Sequence, residues 1–106
     1  METKNLEVKK TARGIRIWVE DIKSGAQMAD NGFTRGVKYT RTIDSDNGVI
    51  TLAVDPNGPL KVAGKDGKNA IIDISAKAID GFAIGDRLEA SFEQGIITIV
   101  NREKSE

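Results

Sequence analysis

Residues 81–88 read Gly81-Phe82-Ala83-Ile84-Gly85-Asp86-Arg87-Leu88, and after a polar turn at Glu93-Gln94-Gly95 the chain returns as Ile96-Ile97-Thr98-Ile99. The first glycine suits the left-handed position that ends a helical turn, and the phenylalanine after it folds back as an apolar plug. The second glycine turns the chain into a strand, in which Leu88, Ala90 and Phe92 alternate with Glu89 and Ser91. Glu93-Gln94-Gly95 then closes a hairpin. An earlier stretch repeats the pattern: Gly32-Phe33-Thr34-Arg35-Gly36-Val37-Lys38-Tyr39 leads into a strand, an Asn47-Gly48 turn, and Val49-Ile50-Thr51-Leu52. Gly32 matches Gly81, Phe33 matches Phe82 and Gly36 matches Gly85, while Gly48 matches Gly95 after a shorter second turn.

Each copy is preceded by an apolar, β-branched run, Ile15–Val19 in the first and Ala70–Ile74 in the second. Helical turns are expected over Glu20–Asp30, where Gly25 interrupts and Asn31-Gly32 ends the segment, and over Ser75–Asp80. Leu6 and Val8 alternate with Glu7 and Lys9 as a short strand, and Leu60 and Val62 suggest another. Asp55-Pro-Asn-Gly-Pro59 with Ala63–Lys68 reads as a turn-rich link over 55–69. One hairpin unit buries only one sheet face and is not stable alone, whereas two can cover each other. The expected fold is therefore mainly β: a single domain, 1–106, forming a small barrel from two pseudo-twofold-related hairpin units, about 15–54 and 70–100.

The chain has 106 residues, no Cys and no His. That excludes disulfides, thiolate or imidazole metal sites, cysteine nucleophiles and a Ser-His-Asp triad. No enzyme activity, metal or cofactor is expected. Gly64-Lys65-Asp66 lacks the residues of a phosphate-binding loop, and Asp44-Ser-Asp46-Asn-Gly48 reads as a hairpin turn rather than a calcium loop. Asp73, in an apolar strand, reads either as a buried, perturbed carboxylate or, as is commoner, as a side chain pointing out of the sheet. No apolar run approaches the roughly 20 residues that span a bilayer, and Met1–Leu6 has no signal core, so the expectation is a cytoplasmic protein with no membrane partner.

Charge is balanced overall at 16 basic and 16 acidic residues, but not along the chain. Residues 1–68 hold 12 Lys+Arg against 9 Asp+Glu, and residues 69–106 hold 4 against 7. Lys9, Lys10, Arg13 and Arg16 form the densest basic stretch, and Arg35, Lys38 and Arg41 a second group. Trp18, beside Arg16 and opposite in phase to Ile17, suits stacking on a base or anchoring an interface, and equally a second core face.

The order of strand, helical turn, Gly-Phe-x-x-Gly-Asp, strand, turn and Gly-x-Ile-x-Ile resembles the swapped-hairpin barrels of the AbrB/MazE superfamily. Residues 81–99 are the stronger match, while Asn31-Gly32-Phe33-Thr34-Arg35-Gly36 is more similar to the SymE branch. The resemblance implies a DNA-binding transcriptional regulator or antitoxin-like protein with basic residues near the hairpins: here Arg16, Lys23, Arg35, Lys38 and Arg41, joined by Lys9, Lys10 and Arg13 of the basic stretch. The second unit departs from this pattern, being acidic at Asp73, Asp80, Asp86, Glu89 and Glu93. DNA is thus expected on the first half. The alternative is a protein-binding module. The chain is also broadly similar to compact proteins of phages and mobile elements that block host defences, and halves of opposite sign suit a protein partner or a homodimer.

Overall fold

Period-two alternation of β-branched residues, broken by Gly and Asx turns, gives a chain that is almost all strand. The computed structural model describes residues 2–12, 14–20, 27–63, 70–75 and 82–103. Within them lie β1 (Glu2–Glu7), β2 (Lys9–Thr11), β3 (Gly14–Glu20), α1 (Gln27–Asp30), β4 (Lys38–Asp44), β5 (Val49–Val54), β6 (Leu60–Lys61), β7 (Ile71–Ser75), β8 (Arg87–Glu93) and β9 (Ile96–Asn101). One sheet has the order β1-β8-β9-β5-β4-β6 and the other β2-β3-β7, with every pairing antiparallel.

The two hairpins, β4–β5 and β8–β9, meet along β5 and β9. Thr51 lies opposite Thr98 at the centre of that ladder, and each pair on one side has its reverse on the other, Ile50 with Ile99 and Leu52 with Ile97. Beyond both ends the pattern continues: Val54 N–H donates to the Gly95 carbonyl at 2.9 Å, and Asn101 N–H to the Gly48 carbonyl at 2.8 Å. β3 and β7 also pair with each other, Ile17 opposite Ile74 and Val19 opposite Ile72, around Trp18 and Asp73.

The turns that end at Gly36 and Gly85 are built alike. Gly36 and Gly85 have φ of 89° and 90°, where a Cβ is strained. The next residue's N–H closes each turn, Val37 onto Thr34 and Asp86 onto Ala83, both at 3.0 Å. Each loop is then clasped by a buried valine from outside its own unit. Val8 donates to the Asp86 carbonyl and accepts from Gly85, and Val62 donates to the Val37 carbonyl and accepts from Gly36. Phe33 and Phe82 are both buried in one continuous core with Ile17, Val19, Ile50, Leu52, Ile72, Ile74, Leu88, Phe92, Ile97 and Ile99. The Phe33 ring meets Tyr39 edge-on at 6.3 Å.

The expectation of a closed barrel is corrected: the two sheets are open. Edge-strand length accounts for the opening. β1 covers β8 over six residue pairs, whereas β6 covers β4 over two, Lys38–Lys61 and Tyr39–Leu60. Matching Val8 to Val62 sets Pro56, which brings no N–H, at a position facing β4, and Val54 already lies opposite Tyr39, so the residues that follow it are too few to run back along β4 before pairing with it. The five residues 55–59 form a turn instead, with Asn57 N–H on Asp55 Oδ1 and Gly58 N–H on the Asp55 carbonyl. Gly58 lies against the Tyr39 backbone, leaving no room for a Cβ. The segment read as a link therefore contains β6 and the Val62 clasp.

Of the expected helical turns, α1 forms the end of the first, whose residues 21–26 lie outside the described residues, as do residues 76–80 of the second. Among the described residues, no helix is long and apolar enough to cross a membrane.

Candidate anion-binding face

The structure divides the basic residues into two groups and one outlier. Arg13 and Lys23 lie outside the described residues.

The first group is on the outer face of the three-stranded sheet. Ile17 and Val19 are buried, so Arg16 and Trp18 point the other way. Lys9 lies directly opposite Arg16 in the β2–β3 ladder, and Lys10, opposite Ile15, is exposed. Trp18 is opposite Asp73, whose Oδ1 is 3.8 Å from Arg16 Nη1. The carboxylate compensates Arg16, while its Nε is buried with no hydrogen-bond partner among the described residues. Asp73 points outward, as its place in the strand pattern suggests. Trp18, 38% exposed, lines a cleft of about 340 Å3 with Lys4, Leu6, Glu7 and Lys9.

The second group is at the β4–β6 corner. Lys38 turns its backbone toward β5, where its carbonyl accepts from Asp55 N–H at 3.0 Å. Lys38 and Lys61, direct partners across β4 and β6, are therefore a non-hydrogen-bonded pair, the geometry that brings side chains closest. Arg35 is in the adjoining loop, where the next residue, Gly36, bonds the Val62 carbonyl. The same position in the other half is Glu7 opposite Arg87. There the charges are opposite, and Arg87 Nε adds a 2.9 Å bond to Glu103. That contact holds the Glu103 carboxyl below its ordinary range, first through the Arg87 side-chain hydrogen bond, and holds the guanidinium above its own. Among the described residues, no ion pair involves Lys38 or Lys61. Like charges directly opposite each other destabilise a ladder, so the corner carries a cost that its counterpart does not.

Arg41, the outlier, occupies the position that Ala90 fills in the second half. Ala90 is buried beneath β1; Arg41 is exposed because β6 stops short of it. Its charge acts on Tyr39, whose hydroxyl is pushed up by burial and pulled part of the way back by Arg41.

Lys61 was not among the residues singled out from the sequence. The available signal was its place before Val62, which matches Glu7 before Val8. Of the acidic residues of the second half, Asp80 lies outside the described residues, and Asp86 and Glu89 are braces. Asp86 Oδ2 accepts from Ala83 N–H and from Asn101 Nδ2, both at 2.9 Å, and Glu89 is 3.3 Å from Arg102. Among the described residues, no cluster of acidic side chains is arranged to hold a metal ion.

Comparison with protein-family models, curated proteins and solved structures finds no match to the chain.

Proposed function

We propose that the protein is a non-enzymatic binding module of the swapped-hairpin kind that holds the phosphate backbone of DNA at the Arg35, Lys38 and Lys61 corner. The observation that carries this reading is the Lys38–Lys61 pair: two ammonium groups facing each other where the related pair, Glu7–Arg87, is neutral. An anion between the lysines relieves their repulsion, and a phosphate chain supplies anions in series. Lys9 and Lys10 add basic character on the second sheet, with Trp18 beside Lys9 as a surface for an unstacked base. The paired valine clasps and matching loops support the swapped-hairpin reading, with both units in one chain.

The test is fluorescence anisotropy of a labelled duplex against salt. Binding is expected at about 50 mM salt and should weaken steeply with added salt, by about 0.9 in log-log slope per phosphate contact. Lys38→Glu should flatten that slope more than Lys10→Glu. Absence of binding at low salt refutes the reading.

A second reading, a module that binds a host protein, is favoured by the outer face of the six-stranded sheet. Its centre has no charged residue: Val49, Thr51 and Ala53 on β5 face Ile96, Thr98 and Val100 on β9, and Ile96 is 40% exposed. Saturable binding to one purified host protein, unchanged by Lys38→Glu, would favour it over the DNA reading.

A further inference from the structure

We infer that the open edge of β4 joins two copies of this chain into a twofold dimer, antiparallel and centred on Thr42. Since Lys38 turns its backbone toward β5, Arg41 and Ile43 turn theirs outward, and among the described residues nothing pairs with them. The matching edge of β8 is filled by β1, so this edge geometry accepts an extended antiparallel strand. The chain's own candidate, 56–59, is barred by Pro56 and by its tether, because β5 ends at Val54 opposite Tyr39, too close to run back along β4 before pairing with it. The other outer edge of the sheet, along β1, instead faces Trp18 across the cleft.

Backbone phase leaves few self-pairings. Outward residues must meet outward residues, and Tyr39 is already taken by Leu60. Centring on Arg41 puts two guanidiniums opposite each other, and centring on Ile43 sends Arg41 into the turn that begins at Ser45. Centring on Thr42 sets Arg41 of each copy against Ile43 of the other and uses every open N–H and C=O of these four residues. It brings Thr40 opposite Asp44 and Thr42 opposite Thr42, with no like charges directly facing, and the zero net charge of the chain adds no long-range repulsion. A threonine pair at a non-hydrogen-bonded position already lies at the centre of the β5–β9 ladder, Thr51 with Thr98. The new pair would also extend a row of hydroxyl side chains that crosses five strands, Thr3, Ser91, Thr98, Thr51 and Thr42. A ladder this short buries less than a standard interface, so the dimer forms and dissociates with concentration.

The cysteine-free chain makes the register directly testable. Thr42→Cys should form a disulfide-linked dimer under mild oxidation roughly tenfold faster than Thr3→Cys, because a non-hydrogen-bonded pair has the Cα spacing a disulfide needs. In sedimentation equilibrium the wild-type chain should show a concentration-dependent dimer. Thr42→Asp, a change at an exposed position, should weaken it about twofold by setting carboxylates face to face. Both measurements are made without DNA at about 0.5 M salt, where phosphate contacts are screened and backbone pairing persists, so their outcome is separate from that of the DNA reading. Equal cross-linking rates for the two cysteine variants, or a wild-type chain that stays monomeric at high concentration, overturns the inference.

Discussion

Lys61→Glu should make the protein more stable while weakening its hold on DNA. The wild-type corner sets two ammonium groups across a non-hydrogen-bonded pair. At about 5 Å in water their repulsion is about 0.8 kcal/mol, and side-chain splay and salt reduce it to a few tenths. Reversing one charge removes that repulsion and substitutes an attraction of similar size, a gain of roughly 0.5–1 kcal/mol, in keeping with exposed pairs generally. For a chain of this length that raises the melting temperature by about 2–6 °C. The same change removes one phosphate contact and neutralises Lys38, so the salt slope for DNA should fall by about 0.9–1.8. Circular-dichroism melts at low and high salt read the first effect, and duplex anisotropy reads the second. Glu7→Lys is the mirror experiment: it faces Arg87 with a like charge and should lower the melting temperature by a similar amount. A Lys61→Glu protein that melts lower than wild type, or that binds DNA with an unchanged salt slope, refutes the argument that this corner trades stability for anion binding.

Two further outcomes follow from the loops. Asp86→Ala removes the acceptor for Ala83 N–H and for an amide proton of the fully buried Asn101. It should cost about 1–3 kcal/mol, with Asp86→Asn milder because one acceptor survives; chemical denaturation measures both. In the β4–β5 turn, the Asp44 carboxyl is held below its ordinary range, first by the Asn47 side-chain hydrogen bond and then by the Asn47 backbone N–H. A folded-state value depressed in this way supports the turn above the unfolded pKa, and that support is lost as pH falls through the folded value. Asn47→Ala should move the Asp44 titration midpoint upward toward the ordinary carboxylate value, as read by NMR; an unmoved midpoint would show that Asn47 is not the cause.

The local parts of this fold were legible because each is written in a few adjacent residues. The Gly-Phe-x-x-Gly loops, the Asn47-Gly48 and Gln94-Gly95 turns and the alternation of Ile15, Ile17 and Val19 all carry their geometry in type and spacing. The clasps did not stand out, because the offset between matching positions changes along the chain. It is 54 residues at Val8 and Val62, 49 at the glycines and 47 at the return strands, so the first strands fall out of line with a repeat found at the glycines. Register between distant strands is also not local information, and the Asp73 that compensates Arg16 is 57 residues away. Pro56 of the link was visible, but its effect depends on which strand it would have had to pair with. For the same reason Asp86 counted as a surface acid, although its carboxylate ties Gly-Phe-x-x-Gly to the end of β9.

Carrying both units in one chain has a consequence that a dimer of identical units cannot reach. In such a dimer any residue in one half appears in both, so a repulsive lysine pair would occur twice and an open strand edge would occur twice. Here the second half is closed and braced: β1 fills its edge over six pairs, Glu7 faces Arg87, Glu103 holds Arg87 and Asp86 pins Asn101. The first half carries the unneutralised Lys38–Lys61 pair and the open β4 edge. Both features cost stability, and both halves share one core through β5 and β9, so the braced half can offset that cost. Closing β4 should then stabilise the chain and at the same time abolish its dimer. Replacing 55–61 with a segment of roughly 15 residues, long enough to run back to the Ile43 end of β4 and then pair along it as β1 pairs along β8, tests this directly, and a variant that melts higher yet still cross-links through Thr42→Cys would show that the open edge is not where two copies meet.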